Sequence, residues 1–489
     1  MSDLVFTPAY QLAQMIRKRE VSVVEVFDAY INQIVKHNAQ LNAICTLDES
    51  ARDRAKVADQ ALARGENWGV LHGVPITIKD CLETAGIVTT AGYKPLKDYV
   101  PQHDATAVGR LRAAGAIIIG KTNPAKLAGD YQNTNDLFPR ANNPWNLNYT
   151  PGGSSGGTAA AIAAGLSALD LGSDIAGSIR HPSHFCGLFG LKPTDRRVST
   201  AGHIPEVPGT PRCIRQMLVV GPIARSIEDL RLSFSLIAGA DPRQPEIPPI
   251  PLDTPNLQNI RLAWTDEIDL YPVAQSIKSA LQSVAQKLTD TKIVVEKWVP
   301  NFDLASAWQV YFALSAYISP HQQPFNLDFV RDSSSLMLRE ATAQCDRTLR
   351  QRSNVAKIGF SAFFNANLKN YFAALTERDR LIAQMDRELE PWDALLCPVA
   401  MTPAFTHRPT GTAIEIDGKN VPYLMASGAY TIPFSFTGHP VVVIPIGQTE
   451  DGLPIGMQIV GQRWCEMKLL AIAEQLHQVI GIFQHPPGY

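Results

Sequence analysis

The sequence has few of the features that direct a protein to a membrane or a nucleic acid. Its 489 residues carry a net charge of only −2, so electrostatics give no reason to expect nucleic acid or an anionic membrane as a partner. No run of about 18 apolar residues is free of charge and proline, which argues against a transmembrane helix. The first residues lack a basic and apolar signal pattern, and this favours a cytoplasmic location.

The cysteines form no recognisable framework. There are seven, an odd number, with no Cys-x-x-Cys pair, so reduced thiols are expected. His181 and His184 lie close to Cys186, a spacing that could suggest a metal site. Pro182 lies between the two histidines and no further ligand cluster is near, so we expect neither a metal nor another cofactor.

The rest of the composition is that of a large globular protein. Hydrophobic residues make up 45% of the chain and charged residues 18%, enough to bury a sizeable core. Ser22 and Glu25 form a capping-box pattern at the start of a helix. Periodicity predicts helices at 50–63, 104–114 and 157–165, and strands at 41–47, 116–120, 166–171, 260–264, 393–398 and 441–445. This alternation predicts an α/β sandwich.

Two glycine-flanked serines are the most informative feature. Ser154 lies in Pro151-Gly-Gly-Ser-Ser-Gly-Gly157, and Ser178 lies in Asp174-Ile-Ala-Gly-Ser-Ile-Arg180. Glycine lets a substrate approach the main chain closely. The N–H groups exposed in such a turn can hold a developing oxyanion. The pair therefore indicates nucleophilic catalysis by serine.

A lysine provides a candidate base. Lys79 ends the apolar run Val74-Pro-Ile-Thr-Ile78, which predicts a buried strand. Burial in an apolar site lowers the pKa of a lysine, and a neutral lysine can accept a proton. Lys121 ends a similar run, but we interpret it as structural or as part of the site's edge.

Three other interpretations of the glycine–serine segment remain open. A flexible linker would have this composition, although alanine-rich apolar sequence follows at once. A nucleophile elbow would make Ser155 the nucleophile, but the segment before it, 146–151, is a poor strand and contains a proline. A phosphate loop would need Gly-Lys-Ser/Thr after the glycines, and none follows.

These motifs together resemble the amidase signature family. The resemblance covers nearly the whole chain and includes five further stretches: Leu71-His-Gly-Val-Pro-Ile-Thr-Ile-Lys79, Ala116-Ile-Ile-Ile-Gly-Lys-Thr-Asn123, Asn143-Pro-Trp145, Thr437-Gly-His-Pro440 and Gly452-Leu-Pro-Ile-Gly456. The resemblance implies a three-layer α/β/α sandwich around a large mixed sheet. It also implies one domain over residues 1–489, with an N-terminal helical part at 1–65, a core at 66–225, a connecting loop at 242–256 and a helical, pocket-forming part at 300–390.

The resemblance also implies the roles of the site residues. Ser178 would be the nucleophile of an amidase that works through an acyl-enzyme, Ser154 the proton relay on a cis peptide bond, and Lys79 the base. The oxyanion would be held by the N–H groups of Ile175, Ala176, Gly177 and Ser178. Ser155, Asp174 and Arg180 would support the site, the last two as an ion pair. Ala176 departs from the family, which usually has glycine there, and this predicts a narrowed or reshaped loop.

The substrate is less clearly indicated. In the related glutaminase subunit of a tRNA-dependent amidotransferase, an arginine and an aspartate hold glutamine. Here Gly428 stands where the aspartate is expected, and the segment 363–369 lacks the arginine pattern. We therefore favour a stand-alone amidase for an uncharged small-molecule amide, with Tyr131 and Gln132 bordering its pocket. The alternatives are an inactive binding protein of the same fold and the amidotransferase subunit. The N-terminal helices would offer a homodimer contact.

Overall fold

The computed structural model describes residues 2–204, 212–268, 272–291, 293–322, 367–481 and 483–489. In chain order the strands are β1 Ile44–Leu47, β2 Pro75–Lys79, β3 Ile117–Thr122, β4 Leu169–Asp174, β5 Phe189–Lys192, β6 Val219–Ala224, β7 Arg261–Trp264, β8 Val294–Lys297, β9 Ala394–Pro398, β10 Ile414–Ile416, β11 Lys419–Val421, β12 Val441–Gln448 and β13 Pro454–Val460.

The helices lie between these strands. They are α1 Ser2–Phe6, α2 Ala9–Arg17, α3 Val23–Leu41, α4 Ala51–Ala63, α5 Thr106–Ala113, α6 Gly156–Ala163, α7 Arg180–Cys186, α8 Ile227–Ile237, α9 Gln275–Thr289, α10 Leu304–Gln322, α11 Leu368–Leu389, α12 Tyr423–Gly428, α13 Ile432–Phe436 and α14 Glu466–Ile480. Among these described helices, none is both long enough and apolar enough to cross a bilayer.

The centre of the fold is an eight-stranded sheet in the order β4-β6-β5-β12-β13-β9-β7-β8. Strand β7 runs parallel to β8 and β9, while the other neighbouring pairs are antiparallel. The sheet is therefore mixed, as the resemblance implied.

Helices cover both faces of this sheet. On β5, the ring of Phe189 packs edge-to-face against the ring of His477 on α14. A side chain on its neighbour Gly190 would instead meet Ser183 of α7. Successive residues of a strand point to opposite faces, so α7 and α14 lie on opposite sides. The predicted three-layer α/β/α architecture is confirmed.

A buried carboxylate joins a second, three-stranded sheet to the first. That sheet has the order β1-β3-β2. Asp170 on β4 accepts hydrogen bonds from the Thr77 hydroxyl at 2.7 Å, the Lys79 N–H at 2.9 Å and the Thr122 hydroxyl at 2.9 Å. These bonds hold the ends of β2 and β3 against β4, and so bring Lys79 to the strand that precedes Ser178.

Local sequence signals predicted several elements correctly. Ser22 and Glu25 form the expected capping box at the start of α3. The strand predicted at 41–47 begins only at Ile44, because α3 continues to Leu41. The reason is the Asn38 side chain, which accepts the N–H groups of Ala43 and Ile44 at 3.0 and 2.9 Å and so forms the turn between helix and strand.

The remaining predicted segments differ in how much of them is described. The segment 242–256 forms turns and irregular chain without helix or strand. In the predicted helical part 300–390, the described ends are α10 and α11. Residues 323–366 lie outside the described residues, so the arginine pattern sought at 363–369 is not tested.

Candidate active site

Lys79 lies at the end of β2 and has no solvent exposure. Its Nζ donates to Ser154 Oγ at 2.7 Å and to Ser173 Oγ at 3.0 Å. Burial lowers the pKa of Lys79, although nearby acidic groups oppose the shift. The lowered pKa favours the neutral amine, and a neutral amine can accept a proton from a hydroxyl that it contacts.

Ser154 lies in a tightly enclosed turn. The Gly153–Ser154 peptide bond is cis, as the resemblance implied. A Cβ at Gly153 would lie 2.5 Å from the Gln132 carbonyl oxygen and closer still to that of Asp130, so no side chain would fit there. The close main-chain contact therefore requires glycine directly before Ser154.

Ser178 lies beside this pair and is partly exposed. The Ser155 N–H donates to the Ser178 carbonyl at 3.3 Å, which ties the two serine segments together. In the described part of the chain, the Ser178 hydroxyl has no hydrogen bond, and none joins it to Ser154. Catalytic hydrogen bonds often form fully only when substrate is bound. In this arrangement the Ser178 hydroxyl is free to approach a substrate.

Ser155, the alternative nucleophile, is fully buried. Its Oγ points to the Ser173 carbonyl at 3.5 Å. Residues 146–155 form turns and isolated bridges, whereas an elbow needs a strand before its serine. This geometry is that of a supporting residue.

The four N–H groups expected to form the oxyanion hole are not equivalent. Gly177 donates its N–H to Asp174 Oδ1 at 2.7 Å. Within the described residues, the N–H groups of Ile175, Ala176 and Ser178 have no acceptor. Of the four donors that the resemblance implied, Gly177 thus already has an acceptor in the Asp174 carboxylate, and the other three are available.

Asp174 and Arg180 form a buried, two-bond ion pair. Arg180 Nε and Nη2 lie 3.0 and 2.9 Å from the two carboxylate oxygens, and both side chains have no exposure. Burial alone would raise the pKa of Asp174, but the Arg180 guanidinium outweighs it and holds that pKa below its ordinary value. Arg180 also donates to Gln458 and to the Thr431 carbonyl. The predicted ion pair is present.

We expect Arg180→Leu to lower the free energy of unfolding by about 3–5 kcal/mol, because it leaves the buried Asp174 charge without its partner. A urea titration of both proteins measures the change. Arg52→Ala is the matched control, because Arg52 makes a similar two-bond pair with Asp28 on the surface, where both side chains are 41–50% exposed. That change should cost less than about 1 kcal/mol. Equal effects at the two sites would contradict the expectation.

Ala176 introduces no backbone strain. Its φ is negative, unlike that of Gly177 at +121°. Alanine is therefore compatible with the conformation of the loop. The carbonyl of Ala176 accepts hydrogen bonds from the Tyr131 hydroxyl at 3.1 Å and the Thr431 hydroxyl at 2.6 Å.

The two residues predicted to border the pocket have different surroundings. Tyr131 is 8% exposed and contacts the oxyanion segment through its hydroxyl. Gln132 is buried, and its side-chain amide pairs with the main chain of Arg408 at 2.9 and 3.0 Å. Its side-chain nitrogen also lies 3.5 Å from the Tyr423 hydroxyl, so the amide is held by protein groups, an arrangement typical of a structural residue.

The residues set aside in the sequence have structural partners. Lys121 is buried, and its Nζ donates to the Leu82 carbonyl and to the hydroxyls of Thr84 and Thr89. His181 and His184 contact main-chain carbonyls. Across the described ranges, no group of three or more His, Cys, Asp or Glu side chains is arranged to hold a metal.

Sequence reasoning missed several residues around the site. Ser173 accepts a hydrogen bond from Lys79, and Cys81 lies 3.6 Å from the same Ser173 hydroxyl. Asp170 accepts the N–H of Lys79, and the Thr431 hydroxyl donates to the carbonyl of Ala176. Only Asp170 gave a signal, as the one charged residue in the predicted strand 166–171. The others become neighbours through tertiary packing alone.

Comparisons with known proteins agree on the family. The family model described as Amidase matches residues 25–470. A glutamyl-tRNA(Gln) amidotransferase subunit of Alkaliphilus metalliredigens (strain QYMF) is 33% identical, with 96% of each chain covered. The crystal structure of an amidase has 27% identity and a TM-score of 0.78, covering 97% of this chain and 100% of that one. The structure of 6-aminohexanoate cyclic dimer hydrolase with its substrate has 25% identity and a TM-score of 0.82, with 99% of each chain covered.

Proposed function

The chain belongs to the Amidase family, and from that premise we propose that it cleaves carboxylic amide C–N bonds by acyl transfer to Ser178. The observation that carries the proposal is the 2.7 Å contact between Lys79 Nζ and Ser154 Oγ, both fully buried. Burial favours the neutral amine. A neutral amine in contact with a serine hydroxyl can act as a base, because it can accept the proton that the hydroxyl passes on.

The proposed reaction uses only this chain and water. Ser178 Oγ attacks the amide carbon, its proton passes to Ser154, and the Ser154 proton passes to Lys79. The oxyanion is held by the N–H groups of Ile175, Ala176 and Ser178. The C–N bond then breaks as Ser154 protonates the leaving nitrogen and is itself reprotonated by Lys79. Water, activated by the same relay, hydrolyses the acyl-enzyme to the acid.

The curated relatives bear on which amide is cleaved. They favour the amidotransferase subunit over the stand-alone amidase that the sequence suggested, since the relative at 33% identity belongs to a glutamyl-tRNA(Gln) amidotransferase and matches over 96% of both chains. For this chain, that function means release of ammonia from glutamine for transfer to an acyl-tRNA, beside partner subunits. The expectation of no nucleic-acid partner then stays a prediction to be tested.

A local observation favours the second candidate, hydrolysis of an uncharged amide. Gly428 stands where the related glutaminase subunit is expected to have an aspartate. A Cβ at Gly428 would lie 2.9 Å from the Tyr131 hydroxyl, 2.9 Å from Trp308 and 2.8 Å from Ile432. These neighbours would have to move before any side chain, and above all a carboxylate, could occupy the position. Position 428 therefore offers no carboxylate to the ammonium group of a glutamine substrate.

Assays of ammonia or amine release distinguish the amidotransferase subunit from the stand-alone amidase. Ammonia or amine is measured from glutamine and from a panel of alkyl and aryl amides, with the wild type and Ser178→Ala side by side. Turnover of a neutral amide that the variant lacks supports the stand-alone amidase. Turnover of glutamine alone, with partner chains that co-purify, supports the amidotransferase function. No release from any of them, alone or with co-purified chains, would contradict the proposed chemistry and leave the inactive binding protein.

A further inference from the structure

We propose that Tyr131 and Thr431 are positioning residues that fix the Ala176–Gly177 peptide group, and through it the oxyanion donors. This inference rests on the proposed function of Ser178. It assigns Tyr131 a role different from that of a pocket wall, and it brings in Thr431, which lies far from the serine motifs in the sequence.

The Ala176–Gly177 peptide is held at both ends. Its carbonyl oxygen accepts from the Tyr131 hydroxyl at 3.1 Å and from the Thr431 hydroxyl at 2.6 Å. Its N–H donates to Asp174 at 2.7 Å. A peptide group is planar, so bonds at opposite edges fix its rotation about the chain. The N–H groups of Ala176 and Ser178 lie in the two adjacent peptide groups, which share a Cα atom with this one, so fixing it restricts how far they can turn.

The same peptide closes a ring of hydrogen bonds. Arg180 binds the Asp174 carboxylate and also donates to the Thr431 carbonyl at 2.9 Å. The Thr431 hydroxyl donates to the Ala176 carbonyl, and the Asp174 carboxylate accepts the Gly177 N–H. Asp174, Arg180 and Thr431 are buried, and Ala176 is partly buried, so most of the ring is shielded from water. The ring holds α13 to the oxyanion segment through Thr431.

Tyr131 reaches the carbonyl only because its surroundings allow it. The ring packs edge-on against His181 at 4.8 Å between centroids. Its hydroxyl lies where a Cβ on residue 428 would come within 2.9 Å, so glycine at that position leaves room for it. Burial raises the pKa of Tyr131 well above its ordinary value, and the hydroxyl therefore remains a donor over the whole working pH range.

Two isosteric variants test the inference. We expect Tyr131→Phe and Thr431→Val each to lower kcat on the hydrolysed amide about ten- to a hundredfold, with KM changed less than about threefold, because a small misalignment of the donors affects the transition state more than the bound substrate. Tyr30→Phe is the matched control. Tyr30 is fully buried and its hydroxyl also donates to a main-chain carbonyl, that of Val5, at 3.2 Å.

Thr431→Ser separates positioning from folding. Serine keeps the hydroxyl and lacks only the methyl group, so Thr431→Ser should retain most of the kcat that Thr431→Val loses. If the loss in Thr431→Val came from disturbed packing, Thr431→Ser would not restore it. A rise in KM with unchanged kcat in Tyr131→Phe would overturn the inference in favour of a pocket wall. So would losses no larger than that of Tyr30→Phe. An inactive wild type would instead refute the proposed function, which keeps the two failures apart.

Discussion

We expect Ser178→Ala to abolish amide hydrolysis, with a loss in kcat of at least about 10⁴-fold, comparable to the loss when the nucleophile of a serine hydrolase is deleted. In the proposed mechanism this variant could not form an acyl-enzyme, while the N–H groups of the oxyanion segment would remain. The side chain is partly exposed and makes no hydrogen bond within the described residues, so its removal should leave folding unchanged. Release of product and thermal unfolding, measured on the same preparations, check both parts.

Ser155→Ala is the control for this experiment. Ser155 is the next serine in the motif, and its hydroxyl is directed at the Ser173 carbonyl. We expect it to retain measurable turnover. If Ser155→Ala were inactive and Ser178→Ala active, the nucleophile elbow centred on Ser155 would replace the proposed mechanism.

Lys79→Met should reduce kcat/KM by about 10²- to 10⁴-fold, the usual contribution of a general base. In the proposed mechanism the neutral amine of Lys79 is the active form. The rate therefore rises as pH increases through the lowered pKa of Lys79 and falls below it. The variant should lose this dependence along with its activity. A pH profile of kcat/KM for both proteins is the measurement, and an unchanged acid limb in the variant would show that another group titrates.

The same pKa shift predicts an effect on stability. The folded pKa of Lys79 lies below the unfolded one, so between the two values the unfolded chain binds more protons. The free energy of unfolding contributed by Lys79 therefore increases as pH rises through that window. The wild type should gain stability over Lys79→Met as pH rises. A pH-independent difference between the two proteins would contradict a lowered pKa.

Lys121→Met is the matched control for Lys79. Lys121 is a second fully buried lysine, at the end of the neighbouring strand β3, and burial lowers its pKa as well. Its amine donates to the Leu82 carbonyl and to Thr84 and Thr89, whereas the Lys79 amine donates to Ser154 and Ser173. This variant should change stability while kcat/KM stays within about tenfold of the wild type. A loss as large as that of Lys79→Met would assign Lys121 to the site.

Short-range patterns were the most reliable part of the sequence. The Ser22 capping box, the apolar runs of β2 and β3 and the buried strand β9 each depend on neighbours within a few residues, and each is where it was expected. Errors lie at boundaries. The start of β1 was misplaced because the Asn38 side chain, not the hydrophobic pattern, decides where α3 gives way to the strand.

The sequence by itself determined the chemical groups of the site and the α/β class. It could do so because glycines beside serines and a lysine ending an apolar run are local signals. The tertiary structure alone decided how those groups are used. It directs Lys79 to Ser154 and Ser173, commits the Gly177 N–H to Asp174, and brings Tyr131 and Thr431 to the Ala176 carbonyl. These contacts join residues up to 255 positions apart. Their geometry depends on how the sheets and helices pack, and no local pattern encodes it.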